Sequence, residues 1–257
     1  MLKPARLNRR ELWTILTSMA GVCLLCWIYL VKMAADMDAM LLAMPNMPLP
    51  EWDAGYAVLM FMMWAIMMIG MMLPSVTPAV LIYAGMDKKA RRGGRPIAPT
   101  ACFISGYLLM WIAFSALATA LQWLLEKNAL LSPMMKSSNT GFGAGLLIIV
   151  GLYQWLPIKE SCLRHCRSPV QFISENWRKG YSGAVMLGIH HGLYCVACCW
   201  LLMALLFFGG VMSLLWIGGI TLFVLLEKIL PMGVVAGKSL GVILIASGLF
   251  LLLNGQG

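Results

Sequence analysis

Apolar runs of membrane-spanning length recur along the whole chain. A helix needs roughly 20 consecutive apolar residues to cross a bilayer. We predict seven spans, with six as the alternative count, at about 12–34, 54–84, 98–125, 141–158, 182–208, 211–230 and 233–253. Only 11% of the 257 residues are charged, whereas a soluble domain carries roughly 25%. The sequence therefore predicts an all-α, polytopic transmembrane helical bundle that forms a single integral membrane domain over residues 1–257.

Positive charge is concentrated in alternate connections between the runs. Basic residues precede span one and lie between spans two and three and between spans four and five, whereas residues 35–53 are acidic. Because cytoplasmic loops are enriched in Lys and Arg, we expect a bacterial inner (cytoplasmic) membrane protein with a cytoplasmic N-terminus, an outward loop at 35–53 and an external C-terminus. The formal net charge of +9 is then expected to meet lipid headgroups, and no nucleic acid partner is predicted.

The fifth run combines imidazoles and thiols without any charged residue. An imidazole in hydrocarbon needs a polar partner, and imidazole together with thiolate suits a soft or borderline metal ion. The candidate ligands of this run are His190, His191, Cys195, Cys198, Cys199 and Met203. His191 and Cys199 are separated by a rise of about 12 Å on a helix, which is too long for one ion. The run therefore predicts two adjacent sites or a pathway that other helices complete, and the alternative is that these residues only pack.

A second group of candidate ligands lies in the loop at 159–181, which we expect in the cytoplasm. Cys162, His165 and Cys166 are three and four residues apart, so a helical conformation would point all three in one direction. Neighbouring arginines favour the thiolate form that binds metal. The alternative is a pair of ordinary reduced cysteines.

A stripe of methionines follows span one. Its members step by four and three residues, at Met33, Met37, Met40, Met44 and Met47. Thioethers need no deprotonation, so this stripe could hold Cu(I) on an exposed surface. The alternative is an amphipathic segment that rests on the headgroups with Met as its apolar side.

A second methionine stripe lies within span two. It consists of Met60, Met63, Met67 and Met71, and on a helix these residues share one face over about 16 Å. They are candidate ligands for the same soft metal. Methionine is also an adaptable packing residue, which is the alternative interpretation.

Four segments carry a resemblance to a known family. They are MMWAIMMIGMMLPSVTP in span two, CLRHCRSP in the 159–181 loop, GLYCVACCWLLM with the following GGVMSLLW, and EKILP at the end of span six. Together they cover residues from about 55 to 232, and they resemble a bacterial family of predicted metal-binding integral membrane proteins of unknown function. The resemblance implies a membrane protein that handles metal, without specifying the metal or the direction of transfer.

Copper as Cu(I) is the metal that we expect, with zinc as the alternative, because Met and Cys are plentiful and carboxylates within the spans are scarce. The sequence contains no nucleotide-binding motif, and we expect no acidic residue in mid-membrane for proton coupling. The leading hypothesis is non-enzymatic metal trafficking, with capture of Cu(I) at the outer methionines, relay through span five and release toward the 159–181 loop. A metallochaperone or a membrane metalloenzyme subunit would be the partner. The alternatives are an accessory or assembly subunit of a membrane copper enzyme and a non-metal membrane scaffold.

Overall fold

The computed structural model describes residues 7–43, 51–92, 100–132, 135–178 and 180–254. Within these ranges the chain is helical apart from short connections, and the strand-like contact is an isolated antiparallel bridge between Leu131 and Ser137. The prediction of an all-α fold is confirmed. Met44 and Met47, the last members of the first methionine stripe, lie outside the described residues.

The described residues form ten helices: α1 (Arg9–Ala43), α2 (Ala54–Arg92), α3 (Thr100–Lys127), α4 (Thr140–Tyr153), α5 (Pro157–Arg167), α6 (Pro169–Glu175), α7 (Gly180–Ala204), α8 (Leu206–Gly209), α9 (Leu214–Ile229) and α10 (Gly233–Asn254). Five segments are long and apolar enough to cross a membrane, and they correspond to α1, α2, α3, α7 with α8, and α10. A sixth is obtained if α4 and α5, which are bent by 64° relative to each other, count as one broken span. The polytopic helical bundle is confirmed, with five or six such spans in the described part of the chain.

The predicted span at 211–230 is the one that falls short of this criterion. It corresponds to α9, which has 16 residues and is therefore about 24 Å long. A hydrocarbon core is about 30 Å thick. The helix is short because Pro231 follows its last turn and a proline disfavours helical conformation in the residue before it.

Two segments that the sequence analysis treated as loops are largely helical. The outward loop predicted at 35–53 begins as a continuation of α1, which runs to Ala43 because no Gly or Pro interrupts it before Pro45. In the loop predicted at 159–181, two short helices each begin with a proline at a first-turn position, where its missing N–H costs nothing. The Cys/His segment therefore has the helical conformation on which its shared direction depends.

The closest helix contact joins α3 and α7 through glycines. A Cβ atom on Gly106 would lie 2.1 Å from the Val185 carbonyl oxygen, and one on Gly188 would lie 2.1 Å from the Phe103 carbonyl oxygen. Small residues allow such close backbone approach in membrane bundles. Gly192 lies against Met110 further along both helices than the contact of Gly106 with Val185, so α3 and α7 run parallel.

The other helices alternate in direction between two ends of the bundle. α1 and α2 are antiparallel, because Lys88 near the end of α2 pairs with Glu11 at the start of α1 at 2.7 Å. α4 and α10 are antiparallel, with Gly151 against Gly241. We call the end that contains α5, α6 and the start of α1 the α5 end. The opposite end, where the last turn of α3 meets Trp52, is the Trp52 end.

Candidate metal centre

Three cysteines of α7 face the interior of the bundle. Cys195, Cys198 and Cys199 are each about 1% exposed, and their spacing places them on one side of the helix. The thiols of Cys198 and Cys199 donate hydrogen bonds to the Cys195 carbonyl oxygen at 3.1 and 2.9 Å. All three are free thiols. The fold therefore gathers three sulfur atoms at one level of a buried helix face.

The sulfur of Cys195 is also in contact with polar groups from other helices. Lys228 Nζ on α9 lies 2.8 Å from it, and the Tyr107 hydroxyl on α3 lies 3.1 Å from it. Lys228 also donates to Ser75 Oγ on α2 at 3.0 Å, and the Tyr107 hydroxyl donates to the Met72 carbonyl oxygen at 3.2 Å. An ammonium at this distance balances the negative charge that a thiolate ligand carries. Three helices, α7, α9 and α3, thus meet at the Cys195 sulfur, and α2 holds the Lys228 and Tyr107 groups from behind.

Sequence reasoning missed the polar groups around Cys195. Lys228 could have been selected from the sequence, since an ionisable side chain at the end of an apolar run is a functional-site candidate by default. Tyr107 and Ser75 had none, because their role depends on helices that are distant in the chain. The contact between residues 107 and 195 spans 88 positions.

Helix α5 brings a fourth thiol to this level. Cys166 is half-buried, and its thiol interacts electrostatically with those of Cys195 and Cys198. Cys162, one turn earlier, is half-buried and lies within electrostatic range of Cys198. We call Cys166, Cys195, Cys198 and Cys199 the thiol cluster. It joins residues of the predicted 159–181 loop to those of the predicted fifth span, two groups that the sequence analysis had treated separately.

Polar contacts fasten α5 over the thiol cluster. Lys159 is 2% exposed and forms a buried ion pair with Glu227 of α9, which is also 2% exposed. Arg167 at the other end of α5 donates to the carbonyl oxygens of Leu230 and Pro231 at 2.6 and 2.9 Å. The position of Cys166 is therefore set by two attachments to the end of α9.

The histidines are placed differently from one another. His165 is exposed and stacks on Tyr194 with ring centroids 4.5 Å apart, so its ring does not face the cluster. His191 is 3% exposed, one helical turn before Cys195, and its Nδ1 atom has no hydrogen-bond partner among the described residues. His190 is half-buried beside it. His191 is thus the imidazole with a free nitrogen close to the thiols.

The thiol cluster is not a preformed cage. Across the described ranges, no three His, Cys, Asp or Glu side chains are arranged so that they could hold one metal ion together. The reason is visible in the hydrogen bonds, since two of the thiols are turned back to the carbonyl of their own helix. Cys198 and Cys199 must give up these hydrogen bonds before their sulfur atoms can share one ion with other ligands. The site is therefore a group of neighbouring soft donors.

The two methionine stripes lie in different environments. The second stripe and the Met of α7 are all buried in the core: Met60, Met63, Met67, Met71 and Met203. In the first stripe, Met33 and Met37 are half-buried against the core, whereas Met40 is 47% exposed. The interior of the bundle is thus rich in thioether sulfur, and the first stripe lies at its edge.

Three of the described carboxylates are buried inside the bundle. Asp87 of α2, Glu227 of α9 and Glu126 of α3 are 1%, 2% and 6% exposed. Each lies near the end of an apolar helix rather than in mid-membrane, where no acidic residue was expected. The ion pair of Glu227 and the hydrogen bonds of Glu126 provide the compensation that a buried charged group requires.

Comparison with known proteins identifies the family to which this chain belongs. No curated protein and no solved structure matches the chain. Residues 61–251 match the model of a family described as PpoB2, copper chaperone. The matched range contains the whole thiol cluster, Lys228 and most of the second methionine stripe. Because the match covers most of its length, the chain belongs to the PpoB2 copper chaperone family.

Proposed function

We propose that this protein is an integral membrane protein that binds Cu(I) as cargo at the thiol cluster. The observation that carries the proposal is the meeting of four reduced thiols from α5 and α7 beside the Lys228 ammonium. Soft thiolate ligands suit Cu(I) as well as zinc, and the copper chaperone family favours copper. Cu(I) also accepts few ligands, so neighbouring donors without a closed cage suit an ion that must be passed on.

The groups around Cys195 have distinct roles in this proposal. Cys195 is the central ligand, and Lys228 offsets the negative charge of the thiolates in surroundings with no water to do so. Tyr107 holds the sulfur in position from the α3 side. Cys166, the ligand on α5, is the one that movement of a short helix can withdraw. His191 supplies a nearby nitrogen donor.

Release is proposed to take place at the α5 end, toward the cytoplasm. Cys162 and Cys166 lie on the helix closest to that surface, and Arg164 and Arg167 on the same helix fit the cytoplasmic bias for basic residues. Transfer then proceeds by ligand exchange to a protein that accepts copper, either a metallochaperone or a subunit of a membrane copper enzyme. The half-buried Met33 and Met37 remain a proposed capture site at the opposite end.

Metal analysis of the purified protein tests the proposal. The protein in detergent, loaded with Cu(I) under anaerobic reducing conditions and desalted, is expected to retain copper. Cys195→Ser and the double variant Cys198→Ser/Cys199→Ser are expected to lose most of it. The matched controls are Cys26→Ser and Cys102→Ser, since these free cysteines are half-buried outside the cluster. A wild-type protein without copper, or equal losses in the controls, would contradict the proposal.

A further inference from the structure

One face of α3 carries a continuous row of buried side chains with polar atoms. The row is Tyr107, Trp111, Ser115, Thr119, Gln122 and Glu126. Spacings of three and four residues place its members on one side of the helix. The side that α3 turns to the bundle interior is therefore its polar side. Polar groups inside a membrane protein cost free energy, and they are typically kept because they serve a function. We call this row the α3 polar row.

The α3 polar row faces the methionine stripe of α2. At the Trp52 end, Gln122 Nε2 lies 3.5 Å from Met60 Sδ. At the other end of the row, the Tyr107 hydroxyl reaches the Met72 carbonyl oxygen at 3.2 Å and the Cys195 sulfur at 3.1 Å. Met63, Met67 and Met71 lie between these two points on α2, and all are buried. The row and the stripe thus run side by side over about 18 Å and end at the thiol cluster.

Glu126 begins the row at the Trp52 end, and the groups that contact it are neutral. Its two carboxylate oxygens accept hydrogen bonds from Trp52 Nε1 at 2.7 Å and from Gln122 Nε2 at 2.8 Å. Both donors lack an acceptor function at these atoms. Among the residues that the structure describes, no cation forms an ion pair with Glu126. A buried carboxylate without a cation attracts one strongly, because the surrounding dielectric is low.

A surface pocket of the bundle lies next to this carboxylate and is separated from it by one side chain. A pocket of about 560 Å³ opens between α2 and α3, and Trp52, Thr119 and Trp123 are among the residues that line it. Trp52 is thus the side chain between the pocket and Glu126. Further along the row, Trp111 Nε1 is a buried donor without a partner among the described residues. This donor is open to a water molecule or another acceptor and does not itself ligate a cation, because an indole nitrogen is a donor only.

We infer that Glu126 is the entrance site for the copper cation at the Trp52 end, and that the α3 polar row and the α2 methionine stripe together form its path to Cys195. The inference rests on the proposed function, because it assigns a route to the cargo of the thiol cluster. Glu126 supplies the charge that draws a monovalent cation out of water. The thioethers then provide soft, neutral ligands along the route, and the thiolates at its end bind most strongly.

Copper loading from one side of a membrane tests the inference. The protein is reconstituted in vesicles, and those with the Trp52 end outward are selected by a tag at the C-terminus, which follows α10 at that end. Cu(I) held by a weak, impermeant ligand is added outside, and thiolate-to-copper absorption reports arrival at the cluster. Glu126→Gln is expected to slow loading by about tenfold or more, since a focused charge changes capture rates by roughly 10–10³-fold. Glu51→Gln is the matched control, because Glu51 is an exposed carboxylate at the same end.

A second measurement distinguishes slower entry of copper from weaker copper binding at the thiol cluster. In detergent, where copper reaches both ends of the protein, Glu126→Gln is expected to hold as much copper at equilibrium as the wild type. Loading of the Glu126→Gln vesicles at the wild-type rate would overturn the inference and leave the thiol cluster intact. Loss of equilibrium copper in Glu126→Gln would also overturn it, because Glu126 would then belong to the binding site or to the fold. Absence of copper from the wild type itself would instead defeat the proposed function.

Discussion

The two ends of the bundle each bury a carboxylate, and they differ in what surrounds it. Glu227 at the α5 end pairs with Lys159, which is equally buried, whereas Glu126 at the Trp52 end is held by the neutral Trp52 and Gln122. A buried ion pair fixes two helices to each other and leaves no net charge. A buried carboxylate with neutral donors keeps its charge available. The first arrangement suits a structural attachment and the second suits a cation in transit.

The largest expected effect concerns Glu227, the carboxylate with the structural role in this comparison. Glu227→Gln is expected to lower the free energy of unfolding by about 3–5 kcal/mol, because Lys159 is left buried without a counter-charge. Glu126→Gln is expected to lower it by about 1.5–3 kcal/mol, the contribution of one hydrogen bond to a charged group. Denaturant unfolding of both variants in the same detergent measures the difference. The double variant Lys159→Met/Glu227→Leu should recover most of the loss, because no charge then stays buried.

Equal losses of stability in Glu227→Gln and Glu126→Gln would remove the distinction between the two ends. Failure of the double variant to recover stability would show that the ion pair does more than compensate charge. Glu160→Gln is a useful control at the α5 end. Its partners Arg164 and Lys238 are largely solvated, so little change in stability is expected.

The next effect concerns the charge beside the thiols. Lys228→Met is expected to raise the Kd for Cu(I) by about 10–100-fold, as is typical when a partner that orients a metal ligand is removed. Lys238→Met is the matched control, because Lys238 is 39% exposed and pairs with Glu160 away from the cluster. Competition with a Cu(I) chelator measures both values. An unchanged Kd in Lys228→Met would show that the ammonium has no part in copper binding.

An effect of similar size concerns the glycine contact between α3 and α7. Gly188→Ala is expected to lower the free energy of unfolding by about 1–3 kcal/mol, because the added methyl group meets the Phe103 carbonyl oxygen and overpacks the interface. Gly145→Ala is the control, since a Cβ atom there has no neighbour within 4 Å. Thermal unfolding compares the two. Equal stability of the two variants would show that α3 and α7 can separate without loss.

The sequence was sufficient to predict the long apolar helices, because hydrophobicity and length decide them in a membrane, but α5 and α6 were taken as a loop. It was also sufficient to select the cysteines of α7, since thiols at spacings of three and four share a helix face wherever the helix lies. It did not show that Cys166 joins them, because that contact depends on the 64° bend between α4 and α5. It also assigned His165 to the same group, whereas stacking on Tyr194 turns that ring away.

The α3 polar row is a periodic pattern of polar residues that was present in the sequence but was not used to predict a site. Its members recur every three or four residues, from Tyr107 to Glu126, within a run that reads as apolar overall. A search for apolar residues passes over such a row, because polar residues on the inner face of a membrane helix reverse the pattern of a soluble one. The partner of the row could not be predicted, since antiparallel packing of α2 on α3 is a property of the fold.

The attachment of α5 has a mechanical consequence. Arg167 anchors the helix through carbonyl groups at the aqueous rim, while Cys166, its immediate neighbour in the chain, reaches the interior sulfur atoms. If copper is released at the α5 end as proposed, a protein that binds the Arg167 guanidinium from outside would displace the adjacent thiol in the same movement. Such an acceptor would weaken copper binding without entering the bilayer.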